Sequence, residues 1–489
     1  MVDAGTAIGR RRHSQHYAAP AHEDTPSRRS CDSDDEVTTA RRHLRPSTAR
    51  PARAVLLAFG LAAVLGTVLL MLPVATDHGE ATNFVSALFT ATSAVSITGL
   101  AVVDTGTHWS MFGTLVILGL IQAGGLGVMT LASLLGLLVS RRFGLQMQLS
   151  AQRETKSVAL GDVRSVVLGV LKLSLMFETV ISLMLTLRLL LGYDYSFTAA
   201  LQSGIFHGIS SFNNAGFSLY DDSMSRFVAD PWISLTVSFS VIAGGLGFPV
   251  WFELGRRLRR GGRRRRWTIH TKITVLTTGV LVLAGFVAIT ASEWNNEATF
   301  GALGVPTKFL AGFFAAVMPR SGGLNSVDIG EMNSVSLLVQ DVLMFIGGGS
   351  GGTAGGIKVT TFALLAFVIA TELRGEPSVH VMGRKLPAAV QRQALTIALL
   401  SVALVVLTTT TMLAMTNFGL DAVLFESISA AATVGLSTGI TPHLPPAAHV
   451  LMSALMFIGR LGPITLGAAL ALRDRPRRYE RPEERPIVG

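Results

Sequence analysis

The chain has 489 residues, of which 49% are hydrophobic and 15% charged, with a formal net charge of +10. Soluble domains carry about 25% charged residues, so this composition points away from them. A single cysteine, Cys31, excludes an intramolecular disulfide and a cysteine metal cluster, and the 11 histidines show no HExxH or paired spacing, so metal catalysis has no foothold.

Residues 1–52 are polar, basic and poor in aromatics, and read as a disordered cytoplasmic tail. They contain no apolar h-region and do not form a cleaved secretory signal. Ala54 to Pro73 is long enough to cross a hydrocarbon core of about 30 Å. Thr82 to Ser93 is apolar but too short to cross, which suits a re-entrant half-helix. It runs into Val95-Ser96-Ile97-Thr98-Gly99-Leu100, and Phe112 to Ser140 then crosses back, carrying Gly124-Gly125-Leu126-Gly127.

The same plan recurs three times. In the second unit, Val163 to Leu191 leads to a half-helix near Ala199 to Ser211, then Asn213-Asn214-Ala215-Gly216-Phe217, then Ile233 to Phe252 with Gly244-Gly245-Leu246-Gly247. The third runs from Ile273–Ile289 through Pro306–Val317 to Arg320-Ser321-Gly322-Gly323-Leu324, and on to Val335–Thr371, which glycines interrupt. The fourth has Ala394–Met415, Asp421–Ala432, Ala432-Thr433-Val434-Gly435-Leu436 and Val450–Leu472, the last containing Gly459-Arg460-Leu461-Gly462.

These elements predict an all-α membrane protein with eight transmembrane helices. They form four tandem repeats of outer helix, pore helix, filter loop and inner helix around a central pore. The expected divisions are the tail 1–52, repeat 1 at 53–140, repeat 2 at 141–254, repeat 3 at 255–373, repeat 4 at 374–473 and a cytoplasmic tail 474–489. Lys and Arg concentrate in the tails, in 141–164, in 255–272 and in 374–392, whereas 74–110 and 417–450 hold none. By the positive-inside rule both termini are cytoplasmic and the four glycine turns approach from outside. The net positive charge is accounted for by topology and attraction to anionic lipid headgroups, not by nucleic acid.

The chemistry of such turns favours cations. A half-helix aims its partial negative C-terminus at the membrane centre, and loops around one axis can offer carbonyls to an ion that has shed its water. Non-helical backbone at that depth is tolerated where it lines a cavity or is buried in protein. Glycine reaches positive φ without steric penalty, so each loop ends in one. One obligatory glycine per loop predicts one or two good cation sites. The candidate filter is Val95, Ser96, Ile97, Thr98, Gly99; Asn213, Asn214, Ala215, Gly216; Arg320, Ser321, Gly322, Gly323; and Ala432, Thr433, Val434, Gly435. Asn213 and Asn214 either add side-chain oxygens or hold their loop. Asp104 and Asp328, each five residues beyond a filter glycine, are the candidate acidic groups of an outer vestibule.

The stretches Phe89 to Leu100, Gln122 to Gly127, Phe345 to Lys358, Val434 to Thr441 and Met456 to Thr465 closely resemble the Trk/Ktr/HKT superfamily of potassium transporters, in particular its Ktr-type membrane subunit. The resemblance runs from about Pro51 to Gly489. It implies potassium uptake across the cytoplasmic membrane, in some members sodium-assisted, by a homodimer seated on a cytosolic ring of nucleotide-binding, RCK-type subunits. It implies potassium, and sodium as a second ion, with no organic cofactor and no enzymatic activity. The third loop departs from the family, which has a Thr before the Arg and ends in Ala-Gly-Phe.

Gly347-Gly348-Gly349-Ser350-Gly351-Gly352-Thr353-Ala354-Gly355-Gly356 cannot hold a helix, because each glycine costs about 1 kcal/mol relative to Ala. In the family the matching loop obstructs the pore, which makes it the candidate gate. Lys358 follows it, and Arg460 is an intramembrane cation that needs a cavity or a partner. Arg460 reads as a barrier, an anchor of the loop, or a structural contact. A sodium-permeable or sodium-selective relative is the main alternative, with Ser96 as the feature favouring it. A coupled transporter with inverted repeats fits poorly, since all four units share one direction.

Overall fold

The computed structural model describes residues 49–127, 161–259 and 267–462, with the backbone alone at 49–55, 161–165, 258 and 259. Most of both expected tails, Cys31, most of the basic connection 141–164, residues 260–266 of the connection 255–272 and the C-terminal parts of the expected spans Phe112–Ser140 and Val450–Leu472 lie outside the described residues. Helices α1 (Ala49–Leu70), α2 (Phe84–Ser96) and α3 (Met111–Gly127) come first, then α4 (Gly161–Gly192), α5 (Phe197–Asn213), α6 (Pro231–Leu246) and α7 (Phe248–Arg259). They are followed by α8 (Ile269–Glu293), α9 (Val305–Val317), α10 (Ser334–Phe345), α11 (Val359–Leu373), α12 (Ala388–Met415), α13 (Leu420–Ala431) and α14 (Pro446–Leu461). A two-stranded antiparallel hairpin, β1 (His380–Val381) and β2 (Arg384–Lys385), joins α11 to α12 and pairs His380 with Lys385.

Among the described residues, three helices are each long and apolar enough to cross a membrane: Val166–Gly192 within α4, α8 and α12. Many of their leucines and valines face outward, among them Leu183, Leu283 and Leu407, whereas Leu185, Leu189 and Val405 are buried. Such an outer surface suits lipid, where apolar groups need not be hidden. The short helices α2, α5, α9 and α13 are the reverse, with C-terminal turns buried among the others.

Asn83, Ser196 and Asp230 cap α2, α5 and α6 by accepting from backbone N–H groups of the first turn. Pro231 and Pro306 sit in first turns, where a missing N–H does no harm. The expected helix Ile233 to Phe252 is instead two helices, bent by 97° at Gly247, whose φ is 92°. Pro249 could not continue α6 but fits the first turn of α7.

The second glycine of each unit has a packing reason. A methyl group at Gly124, Gly244 or Gly459 would collide with the carbonyl of Val95, Phe212 or Ala431 respectively. Each of those carbonyls stands four residues before a filter glycine, so three inner helices reach the last turn of their short helix at backbone distance. In the third unit Gly347 meets the Gly355 carbonyl instead, because the chain there has left the helix.

Candidate functional site

The four short helices end alike. Ile97, Asn214, Ser321 and Thr433 adopt left-handed conformations, with φ of 54°, 59°, 78° and 49°. Two residues further on stand Gly99, Gly216, Gly323 and Gly435, with φ of 94°, 71°, 69° and 98°. A non-glycine left-handed residue is uncommon, and four at one register mark a shared loop geometry that the glycines alone did not announce. Val95 and Ser96, expected in the first loop, belong to the last turn of α2, and Asn213 to that of α5.

The glycines then close a ring. A methyl group at Gly99 would lie 2.5 Å from the Ala215 carbonyl and 2.7 Å from the Gly216 Cα. At Gly216 it would lie 3.0 Å from the Gly323 Cα and 3.1 Å from the Thr98 carbonyl. At Gly323 it would collide with the Val434 carbonyl and stand 3.3 Å from the Gly435 Cα; at Gly435 it would collide with the Thr98 carbonyl, 3.1 Å from the Gly99 Cα. The loops follow one another around an axis in chain order, and carbonyls of the residues before the glycines lie against them.

Polar groups behind the ring brace three of the loops. Ser93 and Ser429 accept from the N–H of Gly99 (3.0 Å) and Gly435 (3.1 Å), and Ser210 donates to the Phe217 carbonyl (2.7 Å). All three serines precede their glycine by six residues, a spacing visible in the sequence but not singled out there. The third loop has Val317 at that position, and Gly322 donates to the Met318 carbonyl (2.7 Å) instead. Its departure in sequence is therefore a departure in bracing.

Asn213 holds its loop: Nδ2 donates to Glu178 (3.0 Å), to Gln122 (3.1 Å) and to the Ile209 carbonyl (3.0 Å). Glu178 also accepts from Gln122 Nε2 and Ser174 Oγ, so this buried carboxylate is satisfied by neutral donors. The Asn214 amide, in the orientation its neighbours require, donates to the Val241 and Ser211 carbonyls, both at 3.2 Å. Behind the fourth loop, Glu426 accepts from Ser437 Oγ (2.5 Å), Thr438 N (3.0 Å) and Thr441 Oγ1 (2.9 Å). Nothing in the sequence distinguished Glu426.

The glycine-rich segment follows α10 and lies under this ring. Ser321 Oγ donates to the Thr433 carbonyl (2.8 Å) and accepts from Gly355 N–H (3.0 Å), and Arg320 Nη2 donates to the Gly347 carbonyl (2.8 Å). Two third-loop residues thus grip both ends of the segment. Lys358 Nζ donates to the Ala354 carbonyl and Arg460 Nη1 to the Thr353 carbonyl, each at 2.5 Å. Arg460 Nε and Nη2 are buried and have no partner among the described residues.

On the other side of the ring is a cavity of about 670 Å³, lined by the four glycines and by Asp104, Asp221, Asp222 and Asp328. Arg226 pairs with Asp221 (2.5 Å) and Asp222 (2.7 Å), whereas among the described residues no salt bridge neutralises Asp104 or Asp328. Both also have local structural duties. Asp104 accepts from Gly106 and Thr107 N–H, and Asp328 from Gly330 N–H. Burial pushes the nearby His108 imidazole below its ordinary value, with His78 adding to the effect and Asp104 opposing it, so it adds no cation at neutral pH. Among the described residues no group of His, Cys, Asp and Glu could hold a metal ion.

Comparison with known proteins gives a consistent picture. Residues 38–474 match the profile of the TrkH family, described as cation transport protein. The chain is 37% identical over 427 residues to Ktr system potassium uptake protein B of Bacillus subtilis, covering 87% of this chain and 94% of that protein. It is 38% identical to the protein of the same name from Vibrio alginolyticus, covering 89% and 94%. Potassium/sodium uptake protein NtpJ of Enterococcus hirae is 32% identical, covering 90% and 97%. The crystal structure of the potassium transporter TrkH from Vibrio parahaemolyticus superposes with a TM-score of 0.69 at 17% identity, over 88% of this chain and 86% of that one, a likeness of fold.

Proposed function

The chain belongs to the TrkH family of cation transport proteins, and from that premise we propose that it takes up potassium across the cytoplasmic membrane through a filter of four loops. The carrying observation is the closed ring of Gly99, Gly216, Gly323 and Gly435. Fixed backbone carbonyls that replace hydration water can favour one cation over another, and the braces from Ser93, Ser210, Ser429 and Asn213 hold them in place. Around the ring the chain makes four units and eight spans, the second inner span being α6 with α7 and the third α10 with α11. Both termini are cytoplasmic, and no catalytic step is involved.

The segment Gly347 to Gly356 obstructs the path below the filter, and Arg460 anchors it through the Thr353 carbonyl. Asp104 and Asp328 concentrate cations at the mouth. The protein works as a homodimer in lipid, on a cytosolic nucleotide-binding ring that moves the segment. Sodium assistance, or sodium permeation in its own right, is the second reading; the likeness to a potassium/sodium uptake protein and the loosely braced third loop favour it. Uptake of potassium and sodium by proteoliposomes, measured side by side, decides between them. Accumulation of neither ion overturns both.

A further inference from the structure

Helix α6 stops at Leu246, and the carbonyls of a helix's last turn have no partner within the helix. In a bilayer such groups must be satisfied from elsewhere. Three of them are. Trp251 Nε1 donates to the Ala243 carbonyl (2.8 Å), Thr353 N–H to that of Gly244 (3.1 Å) and Gly349 N–H to that of Gly245 (2.8 Å). Across the break, Phe248 N–H at the start of α7 donates to the Gly351 carbonyl (3.2 Å).

The fit is also steric. A methyl group at Gly247 would lie 2.8 Å from the Ser350 carbonyl and 3.1 Å from Gly352 N. The glycine segment therefore occupies the break between α6 and α7, and each completes the other's hydrogen bonds. If either moved alone, buried carbonyls and N–H groups would lose their partners.

The Trp251 ring lies 4.8 Å from Phe177, which stacks on Phe212 at 5.4 Å, and the Phe212 carbonyl accepts from Thr353 Oγ1 (3.4 Å). Midway along α7, Glu253 accepts from Thr268 N–H (2.8 Å) and Thr271 Oγ1 (2.5 Å), which ties α7 to the start of α8. We propose that α7 is the positioning element of the glycine segment and Trp251 its latch, so that the segment leaves its seat only together with α7. Only the consequence for ion flow rests on reading that segment as the gate.

The test is amide hydrogen exchange on the full chain in lipid nanodiscs, with potassium flux measured on the same variants. Trp251→Phe keeps the ring but removes the N–H donor, and should speed exchange across 345–359 about fivefold, the equivalent of one hydrogen bond. Gly247→Ala acts on the other side of the break and should do the same. Exchange in α12 should not change. Unchanged exchange across 345–359 in both variants overturns the proposal, as does an equal rise in α12, which would mean general loosening. Faster exchange at the segment with unaltered flux leaves the latch standing and refutes the gate.

Discussion

Serine at Gly99 tests the ring most directly, because a control exists with nearly the same φ. Gly99 has a φ of 94° and Gly439 one of 92°, so an L-residue at either meets similar strain, about 1–3 kcal/mol. Their surroundings differ. A Cβ at Gly439 meets nothing within 4 Å, whereas at Gly99 it would meet the Ala215 carbonyl at 2.5 Å and Gly216 at 2.7 Å. Those contacts are backbone and cannot rotate away, so the second loop must shift with the first. Gly99→Ser and Gly439→Ser should therefore both lose thermal stability, Gly99→Ser the more, while Gly99→Ser alone changes ion discrimination. Loss of about 1.4 kcal/mol of differential cation binding is a tenfold fall in potassium over sodium preference. Paired isotope uptake in proteoliposomes, with melting temperatures recorded on the same preparations, measures both. If the two variants show the same selectivity as the parent, the first loop is not part of the filter.

Three further outcomes follow from neighbouring contacts. Arg460→Ala should raise potassium flux, since it frees the Thr353 carbonyl and removes a charge that, within about 8 Å of a pore ion at an effective dielectric near 20, opposes it by about 2 kcal/mol; lower flux that Arg460→Lys does not restore would show that the arginine holds a conductive shape. Deletion within Gly347 to Gly356 should also raise flux but lower the melting temperature, because Gly244 and Gly245 lose the donors that cap them; unchanged flux in a folded variant refutes the obstruction. Glu178→Gln turns an amide donor toward Gln122 and Asn213, which are themselves donors, so about 1–3 kcal/mol of stability should be lost, with a weaker apparent potassium affinity; a change in melting temperature alone would leave Glu178 a structural group.

The half-helices and their glycines were legible because their signals are local: an apolar run too short to cross, a glycine at its end, and the same order repeated. The observed α2, α5, α9 and α13 start and stop within three residues of the expected segments. The break in the second inner helix was less accessible. Gly247 and Pro249 announced it, but a run of apolar residues from Ile233 to Phe252 reads as one span to any measure of hydropathy. Only the segment from 349 to 353, about a hundred positions away in sequence, makes the break affordable by capping it.

The bracing side chains were hidden for a different reason. Glu178, Gln122 and Asn213 come from three elements and meet only in the folded chain. The serines six residues before their glycines could have been found by aligning the repeats on the glycine rather than on the helix. That alignment also isolates the third loop, where Val317 stands in place of serine and Arg320 and Ser321 turn instead to the glycine segment. The loop with the least bracing from its own helix is thus the one joined to the glycine segment. A ring built this way is not equally braced on all sides: any displacement of the glycine segment would be felt first at Ser321 and, through its bond to the Thr433 carbonyl, at the fourth loop.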